Sequence, residues 1–198
     1  MSVLLVALSY LIGSISFSYI ISKLVKGIDI RKVGSGNAGA TNISRILGLK
    51  YAVLVLFLDA LKGFVAVYLA FSLQVGTLVT LLCGASVIAG HNWPIFSGFK
   101  GGRGVATTLG VFLGLAPLPT LVVFLLCIII IFLTRYVSVG SLLGAIAIPI
   151  VMLLFNYPQP YFFFGLAICL LLIWKHRPNI KRLLKGKELK LGEKVDRN

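Results

Sequence analysis

The chain has 198 residues, of which 59% are hydrophobic and only 12% charged, against roughly 45–50% apolar and about 25% charged in a soluble globular domain. With a mean hydropathy of +1.03, lipid must cover much of its surface. The formal net charge of +14 would suggest nucleic acid in a soluble chain, but Lys and Arg lie almost entirely between apolar runs and in the tail; that distribution argues for membrane topology and anionic ligands and against a nucleic-acid partner.

A helix rises 1.5 Å per residue, so about 20 apolar residues cross a hydrocarbon core of about 30 Å. The first apolar run, Val3 to Leu24, has no basic n-region and no small-residue cleavage pattern, which predicts a retained spanning helix and not a signal peptide. Further spans are predicted at 51–73, 76–92, 103–116, 119–134, 138–156 and 160–174, the fourth and seventh being short. Pro94, the Ala116-Pro117-Leu118-Pro119 segment and Asn156-Tyr157-Pro158 separate them, because proline removes a helical donor and clashes with the preceding turn. The expectation is an all-α polytopic membrane protein. It forms one transmembrane domain over 1–198, with about seven transmembrane helices, short interfacial helices and a basic tail over 175–198. Cys83, Cys127 and Cys169 fall inside apolar runs with no C-x-x-C pair, so they read as small core residues, and no metal site or cofactor is implied.

Lys26, Arg31, Lys32, Arg45 and Lys50 lie in the first loop, Lys100 and Arg103 in the third, Arg135 in the fifth, and a basic run from Lys175 to Arg197 in the tail. The opposite connections, around Gln74, Pro117 and Pro158, carry no charge. Cationic loops stay on the cytoplasmic side, which predicts an external N-terminus, a cytoplasmic C-terminus and every polar motif on one face. Asp59 and Lys62 are the exception, three apart within a span. Charges there are costly, so the two form a bracing ion pair or contribute to a site.

The first loop reads Val33-Gly34-Ser35-Gly36-Asn37-Ala38-Gly39-Ala40-Thr41-Asn42. Its match to G-x-G-x-x-G does not indicate a dinucleotide fold, since no strand precedes it. The local physics still holds: glycines let backbone N–H groups approach an anion, Ser35 or Asn37 can cap the following helix, and the N-terminus of that helix favours negative charge. That helix is short and interfacial, with Arg45 about two turns along it. In the third loop, Lys100, Gly101, Gly102, Arg103 and Gly104 open the fourth span and make a second anion cradle. Trp93 and Phe96 read as interfacial anchors, and His91 as a base or a hydrogen-bonded helix end. Ser138 and Ser141 begin the sixth span, as caps or ligand contacts. His176 and Asn179 stand among tail cations that otherwise suit lipid headgroups. Two phosphate cradles at the edge of an apolar bundle suit two substrates, at least one of them phosphorylated.

The segments Gly34-Ser35-Gly36-Asn37-Ala38-Gly39-Ala40-Thr41-Asn42 with Arg45, Gly90-His91-x-x-Pro94, Phe99-Lys100-Gly101-Gly102-Arg103-Gly104-Val105-Ala106-Thr107 and His176-Arg177-x-Asn179-Ile180 with Arg182 and Leu183 together resemble the bacterial acyl-phosphate:glycerol-3-phosphate acyltransferases. The resemblance covers essentially the whole chain. Arg103 stands where that family's Phe-Lys-Gly-Gly-Lys-Gly has its second lysine; arginine holds a phosphate with bidentate geometry and a different reach. The resemblance implies transfer of a fatty acyl group from acyl phosphate to the 1-hydroxyl of glycerol 3-phosphate, giving lysophosphatidic acid and inorganic phosphate.

It further implies that Ser35, Gly36, Asn37, Thr41 and Asn42 surround acyl phosphate, while Arg45, Arg103, Ser141, His176 and Asn179 hold glycerol 3-phosphate. The catalytic expectation falls on Ser35, Arg45, Arg103 and His176. His91, Lys100, Gly101, Gly102 and Gly104 join the substrate-binding set. The location implied is the bacterial inner membrane, with a monomer facing the cytoplasm among membrane lipids. Position 96 is Phe96, so His91 lacks the H-x-x-x-x-D partner of thioester-using glycerolipid acyltransferases. A transporter of phosphorylated metabolites is the rival reading; against it, the polar motifs gather on one face and no repeat relates the two halves.

Overall fold

A computed structural model describes residues 2–193, and everything described is helix, turn or loop, with no strand. The helices are α1 (Ser2–Gly13), α2 (Phe17–Lys26), α3 (Ala40–Leu47), α4 (Leu49–Ser72), α5 (Thr77–Asn92), α6 (Val105–Leu115), α7 (Pro117–Thr134), α8 (Val137–Leu154), α9 (Gln159–Lys175) and α10 (Arg177–Leu184). Among the described residues five helical stretches are long and apolar enough to cross a membrane, or up to six if the bent pair of α9 and α10 counts as one span. Residues 194–198, which include the predicted tail cation Arg197, lie outside the described residues.

The chain divides into two compact units, one running through Val111 and the other from Phe112 to Leu191. In the first, α1 and α5 approach closely enough that a Cβ on Gly13 would strike the Val87 carbonyl and one on Gly90 the Tyr10 carbonyl. Small residues at such crossings are the usual means of packing helices where lipid is as apolar as leucine. Ser86 Oγ donates to the Val6 carbonyl at 2.9 Å and the Tyr10 hydroxyl to the Trp93 carbonyl at 2.7 Å, which adds polar links to the same seam. Leu5, Ala70 and Cys83 form a buried core at one end of α1, α4 and α5.

The single predicted helix over 3–24 is broken, since α1 stops at Gly13 and α2 starts at Phe17. Within Ser14-Ile15-Ser16 the Ile15 carbonyl is turned out of the ladder and accepts from Lys62 Nζ at 2.8 Å. A freed carbonyl next to a buried ammonium satisfies both groups, which a continuous helix could not do.

In the second unit α7 and α8 form a helical hairpin through Arg135, whose φ of 62° ends α7. Gly140 and Gly144 lie against Ile131 and Cys127. The turn around Asn156, also at positive φ, returns the chain as α9. Of the most apolar stretch of α7 only 17% is buried, as expected for a helix facing lipid. The tail is more ordered than predicted: α9 bends by 58° into α10, with Pro178 in its first turn, where the missing N–H costs nothing. The three cysteines are free.

Candidate active site

The first loop is held from below. Ile30, Ala38 and Ile43 are buried with Ile21, Ala52 and Val55, which fixes both ends of the glycine segment on the feet of α2 and α4. Asn42, only 1% exposed, donates both amide hydrogens to the Ile30 and Val33 carbonyls at 3.1 and 3.0 Å and accepts from the Ser35 N–H at 3.0 Å. With its donors committed to the loop, Asn42 acts as the clamp that shapes it, a different use from the substrate contact expected of it. Gly34 and Gly36 have φ of 61° and 70°, a left-handed conformation that glycine adopts without strain. Ser35, Gly36 and Asn37 form the rim of this turn.

Neither Ser35 nor Asn37 caps the helix that follows. Its N-cap is Gly39, without a side-chain bond, and α3 has only 8 residues, so Arg45 falls in its last turn. Thr41 lies in the first turn. Lys26 Nζ donates to the Ile46 carbonyl at 2.8 Å, a cation at the helix end where carbonyls are exposed.

Arg31 ties the first loop to the third. It pairs with Asp29 through Nε at 2.9 Å and Nη2 at 2.7 Å, and its Nη1 donates to the Ser97 carbonyl at 2.6 Å. The bidentate Arg31 contact holds the Asp29 carboxyl down at about 2, against an opposing push from burial.

In the third loop, Gly102 N–H donates to the His91 carbonyl at 3.1 Å. A Cβ on Gly102 would collide with the His91 imidazole and the Ala38 carbonyl, and one on Gly101 with the His91 and Asn92 carbonyls. The two glycine-rich loops therefore meet at Gly102. Gly104, at φ 86°, turns the chain into α6 beside the Asn92 amide, with Arg103 half-buried just ahead of it and Lys100 exposed. Phe96 is 68% exposed, consistent with an interfacial anchor.

His91 rests on the charges inside α4. Its Nδ1 is 3.4 Å from Asp59 Oδ1, which pairs with Lys62 Nζ at 2.8 Å. The imidazole is oriented with Nδ1 toward the carboxylate and Nε2 against Gly102. The ion pair is thus more than a brace between two side chains of one helix. It reaches from the α1–α2 break to the base of the third loop.

The second unit carries its own polar group. Ser138 and Ser141 are not caps, since α8 is preceded by Tyr136; Ser141 Oγ donates to the Val137 carbonyl at 2.9 Å and Ser138 Oγ to Glu188 Oε1 at 2.9 Å. His176 is 2% exposed and its Nδ1 lies 2.8 Å from the Leu172 carbonyl. That carbonyl fixes the hydrogen on Nδ1. Asn179, also 2% exposed, and Arg182 bond Glu188. Sequence reasoning left Glu188 in the solvated tail. No periodicity could have found it, because its partners lie across a turn and on another helix.

A family model described as Glycerol-3-phosphate acyltransferase matches residues 3–186. The chain is 49% identical over 195 residues to the glycerol-3-phosphate acyltransferase of Shouchella clausii, covering 96% of this chain and 95% of that one. It is 46% identical over 185 residues to the enzyme of that name from Aquifex aeolicus, covering 93% and 96%. The fold is similar to the crystal structure of the integral membrane glycerol 3-phosphate acyltransferase PlsY in its glycerol 3-phosphate form, with TM-score 0.92, 45% identity and 96% of both chains covered. The lysophosphatidic acid form gives TM-score 0.89 at 44% identity, covering 96% of this chain and 95% of that one.

Proposed function

The chain belongs to the glycerol-3-phosphate acyltransferase family, and from that premise we propose that it moves a fatty acyl group from acyl phosphate to the 1-hydroxyl of glycerol 3-phosphate, releasing lysophosphatidic acid and inorganic phosphate. The observation that supports this most is the meeting of the two glycine-rich loops at Gly102. The Gly102 N–H is taken up by the His91 carbonyl, so the positive charge for an oxyanion that gains charge during transfer comes from Arg45 and Arg103 on the flanking segments. The relatives solved in glycerol 3-phosphate and lysophosphatidic acid forms supply acceptor and product.

In this reading Ser35, Gly36, Asn37 and Thr41 receive the acyl phosphate, on a loop shaped by Asn42. Gly101, Gly102 and Gly104 give the third loop its close approach, with Lys100 supplying positive charge at its mouth. Arg45 and Arg103 bind phosphate, and in the second unit Ser141, His176 and Asn179 serve the acceptor. The acceptor hydroxyl oxygen bonds the acyl carbon, the carbon–oxygen bond to phosphate breaks, and the hydroxyl proton passes to the departing phosphate. A mixed anhydride already has a good leaving group, so positioning and charge stabilisation suffice and Ser35 is never acylated. His91, fixed by Asp59, is structural support for the loop.

The apolar segments cross the bacterial inner membrane seven times, α6 where the layer is thin, with the N-terminus outside and the cationic loops and tail in the cytoplasm around a monomer. Cysteine labelling near Pro158 from the cytoplasmic side alone would contradict that topology. The activity is tested by mixing purified protein with acyl phosphate and glycerol 3-phosphate: inorganic phosphate should appear only when both are present. A Ser35-linked acyl adduct, formed with donor alone and consumed at the turnover rate on adding acceptor, would replace direct transfer with a covalent mechanism.

A further inference from the structure

Glu188 sits in a stretch with Lys185, Lys187 and Lys190, yet its side chain is only 5% exposed. Its Oε1 accepts from Ser138 Oγ and from Asn179 Nδ2, and its Oε2 from Arg182 Nε at 2.6 Å. Burial pushes its carboxyl up, but the bonds from Asn179, Arg182 and Ser138 outweigh that and hold it below the usual value. It is therefore a charged acceptor. A carboxylate cannot donate, so it dictates the direction of the Asn179 amide: the NH₂ faces Glu188 and the carbonyl oxygen faces away. That oxygen, Asn179 Oδ1, is buried and has no hydrogen-bond partner among the described residues. Buried polar atoms are almost always satisfied, and an acceptor kept open beside His176 suits a donor that arrives with a ligand.

We propose that Glu188 is a positioning residue that locks Asn179 so that its carbonyl oxygen accepts from the 2-hydroxyl of glycerol 3-phosphate. This rests on the reading that Asn179 serves the acceptor substrate. A phosphate offers only oxygens that accept at neutral pH, and a carbonyl oxygen turned toward it would repel. The 1-hydroxyl loses its proton in the reaction. The 2-hydroxyl is the remaining donor, and the Asn179–Glu188 pair then distinguishes a polyol phosphate from a plain hydroxyalkyl phosphate.

The probe is 3-hydroxypropyl phosphate, which keeps the attacking hydroxyl and lacks the 2-hydroxyl. Wild-type kcat/KM should favour glycerol 3-phosphate over it by at least about 100-fold, as sites built to bond a hydroxyl reject its deoxy analogue. Glu188→Gln can offer Asn179 a donor as well as an acceptor, so the amide is free to turn and the ratio should fall by about 10-fold or more, through loss with glycerol 3-phosphate alone. Glu188→Asp, still an acceptor only, should restore most of it. Equal wild-type kcat/KM for the two acceptors overturns the proposal without any variant. So does an equal loss on both in Glu188→Gln, which marks a structural role. If Asn179→Ala erases the ratio while Glu188→Gln preserves it, Asn179 serves the acceptor and Glu188 does not orient it. If Asn179→Ala leaves the ratio intact, the assignment of Asn179 itself is wrong.

Discussion

Replacing Asp59 by asparagine tests whether the buried pair is an electrostatic support or simple packing. The substitution is isosteric, so it makes no cavity. It leaves the Lys62 ammonium, 3% exposed, without an anionic partner, with only neutral groups around it such as the Ile15 carbonyl at 2.8 Å and the Phe17 ring at 5.6 Å. Stranding one member of a buried pair costs about 3–5 kcal/mol. At about 2–4 °C per kcal/mol for a chain of this size, thermal unfolding in detergent should fall by on the order of 10 °C. Asp59→Asn combined with Lys62→Met removes the stranded charge and keeps an oxygen for His91 Nδ1. It should recover to within about 1–3 kcal/mol of wild type, since the stranded charge is gone and the remaining cost is the Ile15 carbonyl left without its Lys62 donor. A double variant as unstable as Asp59→Asn would refute the argument, because the cost would then lie in shape and not in charge.

Arg45→Ala and Arg103→Ala should each raise KM for glycerol 3-phosphate by about 10-fold or more, each losing a charge-assisted bond to a dianion; unchanged KM in both would remove them from the acceptor site. Gly102→Ala should abolish most activity and also lower the unfolding temperature, because the added methyl meets the buried His91 imidazole and the Ala38 carbonyl at the loop junction; steady-state assay beside thermal unfolding checks it, and wild-type activity would refute it. The Asp29 carboxyl lies at about 2, below its ordinary 3.8, so its contribution is present above that ordinary value and lost as pH falls through about 2. The stability difference between wild type and Asp29→Asn should therefore be flat from about pH 5 to about pH 8 and shrink in stronger acid.

The helices were legible because hydropathy and proline are local signals. Six of the seven predicted segments end within a few residues of α4 to α9. The break after Gly13 was not read, although Gly13-Ser14-Ile15-Ser16 carries it, since the reason for it is Lys62 on another helix. The close approach that glycine permits in the two loops was legible from their composition, but not which polar residues build them. Asn42 belongs to the scaffold through bonds to Ile30 and Val33, 12 and 9 positions away. Such bonds depend on the folded path of the loop and leave no spacing in the sequence. α10 was missed because its charge density looked like solvated tail.

The same physics explains where the few carboxylates sit. For the two anionic substrates proposed above, an unpaired Asp or Glu near either cradle would oppose binding, and the chain has only 5 acidic residues against 19 basic ones. Asp29, Asp59 and Glu188 are each matched to a cation, Arg31, Lys62 and Arg182 respectively. Each also serves a loop or candidate site residue: Asp29 accepts the Arg31 N–H, Asp59 faces His91 Nδ1, and Glu188 accepts from Asn179. A neutralised carboxylate is the strongest fixed acceptor a protein has. Placed behind a histidine or an amide it determines which edge the side chain turns outward, so negative charge is used for orientation without being presented to the substrates.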